Sequence, residues 1–110
     1  MIDAKIVSPD RALFEGDVSE VYARSTEGEI GILTGHQPVL LLLAAAPLEL
    51  VGADGTRTTF AVRSGFLQYA DGKLTVLADF AEEVADKDAA HAMVEKFTTP
   101  GRGANAPAPA

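Results

Sequence analysis

Between Ile2 and Leu77 the chain alternates short apolar runs with Gly, Asp and Pro punctuation. Such runs, rich in Val, Ile, Leu, Phe and Tyr and bounded by turn residues, predict strands. Ala4 to Ser8 ends at the turn pair Pro9-Asp10, and Leu13-Phe14 runs into Glu15-Gly16-Asp17, a second predicted turn. From Val18 to Ser25, Val21 and Ala23 fall on one face and Glu20, Tyr22 and Arg24 on the other. Ile30 to Leu33 is flanked by Gly28 and Gly35. Val39 to Leu43 is wholly apolar, the pattern of a strand buried on both faces. Leu48 to Val51 and Thr58 to Val62 flank Gly52-Ala53-Asp54-Gly55, a hairpin signal. Phe66 to Tyr69 and Leu74 to Leu77 flank Ala70-Asp71-Gly72-Lys73, where Asp-Gly supplies the positive φ angles of a tight turn. Turns recur every ~8–12 residues without βαβ alternation, which predicts an antiparallel sandwich or barrel.

The period changes after Asp79. Ala89, Met93 and Phe97 recur at helical spacing, with Ala90 and Val94 beside them, so Asp86 to Phe97 predicts one helix with an apolar stripe. Asp86 suits the N-cap, Asp88 suits the positive end of the helix dipole, and Pro100-Gly101 stops the helix. A helix this short is marginal alone in water and must dock or fray. Three segments follow: a β domain over 1–80, a short helical segment over 81–98, and a Pro/Ala/Gly tail over 99–110 whose composition predicts disorder.

Composition narrows the classes of function. The 110 residues carry 9 basic and 16 acidic side chains, a net charge of −7, and 47% are hydrophobic. That is globular, and its sign disfavours nucleic-acid binding and an electrostatic anchor on anionic lipid. With no Cys there is no disulfide, thiolate or Cys-based zinc chemistry. The longest apolar run, Val39 to Ala46, is far short of the roughly 20 residues of a spanning helix. No basic, then apolar, leader opens the chain, which reads as cytosol-type.

Catalytic patterns are missing. His36 and His91 are far apart and form no metal spacing, so neither a metal nor a cofactor is expected. No Gly-x-Ser-x-Gly elbow is present, and Gly28, Gly31 and Gly35 match neither dinucleotide nor Walker spacing. Glu82-Glu83 reads as a solvated edge. The remaining signal is Thr26 to Leu40, which places Gly28, Gly31, Gly35, His36 and Pro38 between two strands. By chemistry alone it is either a pair of bulged turns or a shaped loop shown to a partner. The apolar run from Val39 is likewise either core or interface.

That segment resembles the epsilon subunit of bacterial F-type ATP synthases. The family pattern is roughly Glu-Gly-Glu-Leu/Phe-Gly, two hydrophobic residues, then Pro-Gly-His-Ala-Pro-Leu-Leu. It is matched at Glu27, Gly28, Glu29, Gly31, Gly35, His36, Pro38 and Leu40, with Thr34 and Gln37 departing from it. Arg63-Ser64-Gly65-Phe66-Leu67 is similar to a Ser-Gly-Gly-Phe-Leu stretch, and Leu74 to Asp79 to Val-Thr-Val-Leu-Ala-Asp. Ile6 to Pro9 and Leu13 to Gly16 also fit. The resemblance implies a flattened antiparallel β-sandwich of about ten strands, a helical C-terminal region, and a non-catalytic rotor subunit. It would bind the gamma subunit and the polar loops of the c-ring, with the alpha/beta hexamer around it, peripheral to the cytoplasmic face of the bacterial inner membrane. Carried over, Glu27, Gly28, Glu29 and Ile30 match c-ring contacts, while Ser8, His36, Pro38 and Leu40 match gamma contacts. The Asp-x-x-Arg-Ala motif that binds ATP in some members is here Asp88-Ala89-Ala90-His91-Ala92, and the Pro/Ala tail that follows is not expected to form the family's second helix. Weak or no ATP binding and poor inhibition are therefore expected. A stand-alone β-sandwich adaptor is the alternative, and a small enzyme with an unseen site is a remote third.

Overall fold

The computed structural model describes residues 1–98. The expected disordered tail, 99–110, lies outside the described residues. The elements are β1 (Ile2–Val7), β2 (Ala12–Val18), β3 (Glu20–Ser25), β4 (Gly28–Leu33), β5 (Val39–Leu43), β6 (Ala46–Val51), β7 (Arg57–Ala70), β8 (Lys73–Val84) and α1 (Lys87–Thr98). All strand pairs are antiparallel except β1 with β8, which is parallel.

The register explains why eight strands are found where about ten were expected. β7 pairs with β6 over 57–62 and with β5 over 65–69, and its register with β8 shifts between Val62 and Gly65. A bulge bends a strand and redirects it. The long hairpin β7–β8 therefore runs through both layers and contributes twice. One layer holds β2, β1, the first half of β8, the second half of β7, and β5. The other holds β4, β3, β6, the first half of β7 and the second half of β8.

The core lies between the layers. Ile2, Ala4 and Ile6 alternate inward from β1, Val21 and Ala23 from β3, Leu48 and Leu50 from β6, and Leu74, Val76 and Ala78 from β8. Phe60, at 1% exposure the bulkiest fully buried side chain, anchors the β7 half that faces β6. Fully burying an aromatic or branched aliphatic side chain contributes about 1.5–3 kcal/mol.

Two expectations are corrected. Glu15-Gly16-Asp17 is not a turn but the middle of β2, where Glu15 pairs Lys5, Gly16 pairs Ala4 and Asp17 pairs Asp3. Val39 to Leu43 is not buried on both faces: Leu43 is buried and Val39 and Leu41 are half-buried, but Leu40 and Leu42 are exposed. β8 also continues to Val84, past residue 80. The Asp71-Gly72 turn forms as predicted, with φ of 53° and 76°.

The helix begins where its cap predicts. The Ala89 N–H donates to Asp86 Oδ1 at 2.9 Å. α1 packs against β6 and β7. Ala61 alternates with core residues Phe60 and Val62, so it faces the other side of its sheet, and both it and Ala90 are fully buried. Small residues let the helix approach closely. Phe97, in the last turn, meets the Phe80 ring edge-on at 5.4 Å.

Candidate functional site

The helix shields part of one layer's outer surface and leaves the other layer bare. On the bare layer the register aligns Leu42, Phe66, Leu77 and Val7 in a row across β5, β7, β8 and β1. Leu42 is 51% exposed, Phe66 49% and Leu77 53%, and Leu40, one position along the same face of β5, is 66% exposed. The next row, Leu40, Gln68, Thr75 and Lys5, is mostly polar and ends on the Lys5–Glu15 ion pair at 3.5 Å. Side by side, exposed large apolar residues on so small a domain make this face a candidate docking surface.

A cleft of about 510 Å³ opens along the apolar row. Leu42, Phe66 and Leu77 line it, and Ser8, Thr26 and Asp79 stand among its polar residues. Ser8 closes the β1–β2 turn: its N–H donates to the Arg11 carbonyl at 2.9 Å, and its hydroxyl reaches the same oxygen at 3.3 Å. The Asp79 carboxylate accepts from Arg63 Nε and from the Ser64 N–H, both at 3.0 Å. Burial would raise the Asp79 carboxyl, but these two hydrogen bonds and the Arg63 charge outweigh it and hold the group below its ordinary value.

The residues matched to gamma contacts fall along this face. Ser8 and the β5 leucines meet at the cleft, with Leu42 rather than Leu40 in its wall. Pro38 and His36 lie beyond the other end of β5, in the β4–β5 loop. The His36 N–H donates to the Leu33 carbonyl at 3.0 Å, and its ring meets Tyr69 edge-on at 6.1 Å. His36 Nδ1 lies 2.7 Å from the Gln37 carbonyl, which can only accept, so Nδ1 carries a proton. The half-buried loop His and the neighbouring leucines are thus held on the first layer, not in the core.

The residues matched to c-ring contacts form the tip of the β3–β4 hairpin. Ser25 Oγ accepts from the Glu27 N–H at 3.1 Å and donates to the Gly28 carbonyl at 2.9 Å. Gly28 has φ 129°. Glu29 is bound across the hairpin to Arg24 at 2.8 Å, so only part of its charge is offered outward. Glu27 is exposed in the turn and, among the described residues, has no cationic partner. Ile30 is half-buried and packs against the core. The Thr26 N–H donates to the Leu42 carbonyl at 3.0 Å, which ties the hairpin tip to the apolar face.

A second cleft, about 600 Å³, separates α1 from β3, β4 and β6. Lys87 and His91 line its helix side, and Arg24 and Arg57 its sheet side. Arg24 is engaged by Glu29, and Arg57 lies 3.7 Å from Glu49. Tyr22 lies across Gly31 there, and its phenol, donating to Glu20, is pushed above its usual value. Among the described residues no group of His, Cys, Asp and Glu is placed to hold a metal ion.

Sequence reasoning missed Leu42, Phe66, Leu77 and Asp79 as site residues. The signal was present for two of them. Phe66 alternates with Leu67, and Leu77 with Val76, so each is a large apolar side chain on the face opposite the core.

Comparison with known proteins adds the family. The model of the ATP synthase delta/epsilon chain β-sandwich domain matches residues 1–84. The ATP synthase epsilon chain of Streptomyces avermitilis is 38% identical over 91 residues, covering 83% of this chain and 73% of that one. That of Corynebacterium aurimucosum is 40% identical over 92 residues, covering 83% and 75%. Among solved structures, a chain of the Euglena gracilis mitochondrial ATP synthase superposes with a TM-score of 0.71 at 25% identity, over 86% of this chain and 62% of that one. A chain of the Tetrahymena thermophila mitochondrial ATP synthase central stalk and c-ring shares the fold at 17% identity, with a TM-score of 0.61 over 74% and 65%.

Proposed function

Because the chain belongs to the delta/epsilon chain family of ATP synthases, we propose that it joins the gamma subunit to the c-ring in the central stalk. Epsilon chains are non-catalytic subunits of the complex, so the function to be explained is mechanical coupling rather than bond chemistry. The outer face carrying Leu40, Leu42, Phe66 and Leu77 docks on gamma, with Ser8, His36 and Pro38 at its margins. The β3–β4 tip, Glu27 to Ile30, meets the polar loops of the c-ring.

One observation carries this reading: a row of exposed leucines and a phenylalanine on the layer that α1 leaves bare. Such a surface needs a partner. The tip is suited to its role by attachment. Its backbone bond to Leu42 means that torque delivered at the tip reaches the docking face through a sheet rather than a loop. Glu27 and the partly neutralised Glu29 offer negative charge to basic loops, which sets orientation more than affinity. No helix among the described residues is long and apolar enough to cross a membrane. Contacts with the alpha/beta hexamer belong to the same assembly.

Co-expression with a tagged gamma subunit, followed by native mass spectrometry, tests the reading. A one-to-one complex that weakens with Leu40→Asp or His36→Ala is the expected result. A folded chain that leaves folded gamma uncomplexed would overturn it and favour a stand-alone adaptor.

A further inference from the structure

We infer that the apolar cleft and the C-terminal helix are coupled through Asp79, so that a partner side chain seated in the cleft holds α1 against the sandwich. The inference rests on the docking face being the gamma-facing surface and adds to it a means of regulation.

The contacts form a continuous chain. Asp79 stands in the wall of the cleft with Phe66 and Leu77. Its carboxylate takes both the Ser64 N–H and the Arg63 guanidinium, at the bulge where β7 passes between layers. Arg63 in turn lies over the Phe80 ring, 5.6 Å from its centre. Phe80 is the shelf for Phe97, 5.4 Å away at 82°. One end of this chain faces the partner, and the other is the last turn of α1.

The two-state element is the helix. Its twelve residues are marginal alone, so it is ordered by docking. Its docking is anchored by Ala90 in the first turns and by Phe97 at the end. The Asp79 side chain is 44% exposed and that of Arg63 is 53% exposed, so water competes for their bond. An apolar side chain in the cleft removes water from one side of Asp79. Both carboxylate oxygens keep their donors, and the attraction to Arg63 strengthens as the local dielectric falls. Arg63 is then fixed over Phe80, and the shelf for Phe97 is fixed with it. Linkage makes the effect reciprocal: whatever frees the helix weakens the partner by the same factor.

Hydrogen exchange of the α1 amides in the full chain, alone and bound to gamma, measures the coupling. Gamma is expected to slow exchange in the last two turns by about fivefold, the lower end of typical couplings. In Asp79→Asn, read at saturating gamma, the slowing falls below about twofold. Arg63→Lys, which leaves Asp79 in place and removes the planar stack, carries the same expectation should Asp79→Asn fold poorly. Phe97→Ala, away from the cleft, weakens gamma by the factor that gamma protects the helix. Equal slowing in wild type and both variants would mean direct contact between gamma and α1, and would overturn the inference. A complex with no slowing overturns the inference alone. No complex at all overturns it together with the docking face.

Discussion

A methyl group at position 65 would lie 2.2 Å from the Leu77 carbonyl oxygen and 2.8 Å from the Ala78 Cα, and Gly65 has φ 158°. These are backbone atoms of β8, which cannot swing aside as a side chain could. Position 64 differs: Ser64 is half-buried, and its N–H is taken by Asp79. Of the two positions that are glycine in the resembled motif, only the second needs to be, since Ser64 does not adopt a positive φ. Gly65→Ala should lower stability by about 3 kcal/mol in urea unfolding; a loss below about 1 kcal/mol would show that the hairpin can part there. Asp79 makes a second prediction. Its carboxyl is held below the ordinary value of 3.8, so the folded state binds that proton less readily than the unfolded one. The stabilisation is complete at neutral pH and is lost as pH falls through and below that value. The acid limb of a stability-versus-pH curve should therefore flatten in Asp79→Asn; an unchanged limb would contradict the pairing. Neither role was legible in the sequence, because both depend on strands β7 and β8 meeting across a bulge whose position local spacing does not reveal.

Elements were more legible than residues. The Asp71-Gly72 turn, the Gly52 to Gly55 turn and the Asp86 cap are local chemistry, and each forms where its residues predict. Glu15-Gly16-Asp17 misled because pairing with β1 outweighs the turn tendency of its residues. β5 misled for another reason: composition cannot tell an apolar residue facing a core from one facing a partner. The resemblance implies about ten strands, and eight are found because β7 and β8 each run unbroken through both layers. For α1, His91 lines the second cleft at the position where the ATP motif has Arg, and the cleft's arginines are occupied by Glu29 and Glu49. A His does not offer the fixed two-pronged charge of Arg toward phosphate. Isothermal titration with ATP should accordingly show no saturation below roughly millimolar concentration, where the whole binding energy is only about 4 kcal/mol. Saturable binding tighter than that would contradict it.

At the scale of the molecule the two layers have opposite characters. One outer surface is partly covered by α1 and dressed with the pairs Arg24–Glu29 and Arg57–Glu49. The other carries an apolar row that no part of the described chain covers. This asymmetry is the central claim, because it assigns one face to the gamma subunit and leaves the other out of that contact. Leu33 supplies an internal control. It is 52% exposed, as Leu42 is 51% exposed, but it belongs to β4 in the opposite layer. Both are surface positions, so Asp at either should change stability by no more than about 0.5 kcal/mol. The most direct measurement is the gamma affinity of Leu42→Asp beside that of Leu33→Asp, by titration calorimetry on the full chain. The account predicts a loss of at least about thirtyfold for Leu42→Asp, the scale of a buried interface anchor, and less than about twofold for Leu33→Asp. Equal affinities, or the larger loss at Leu33, would contradict it.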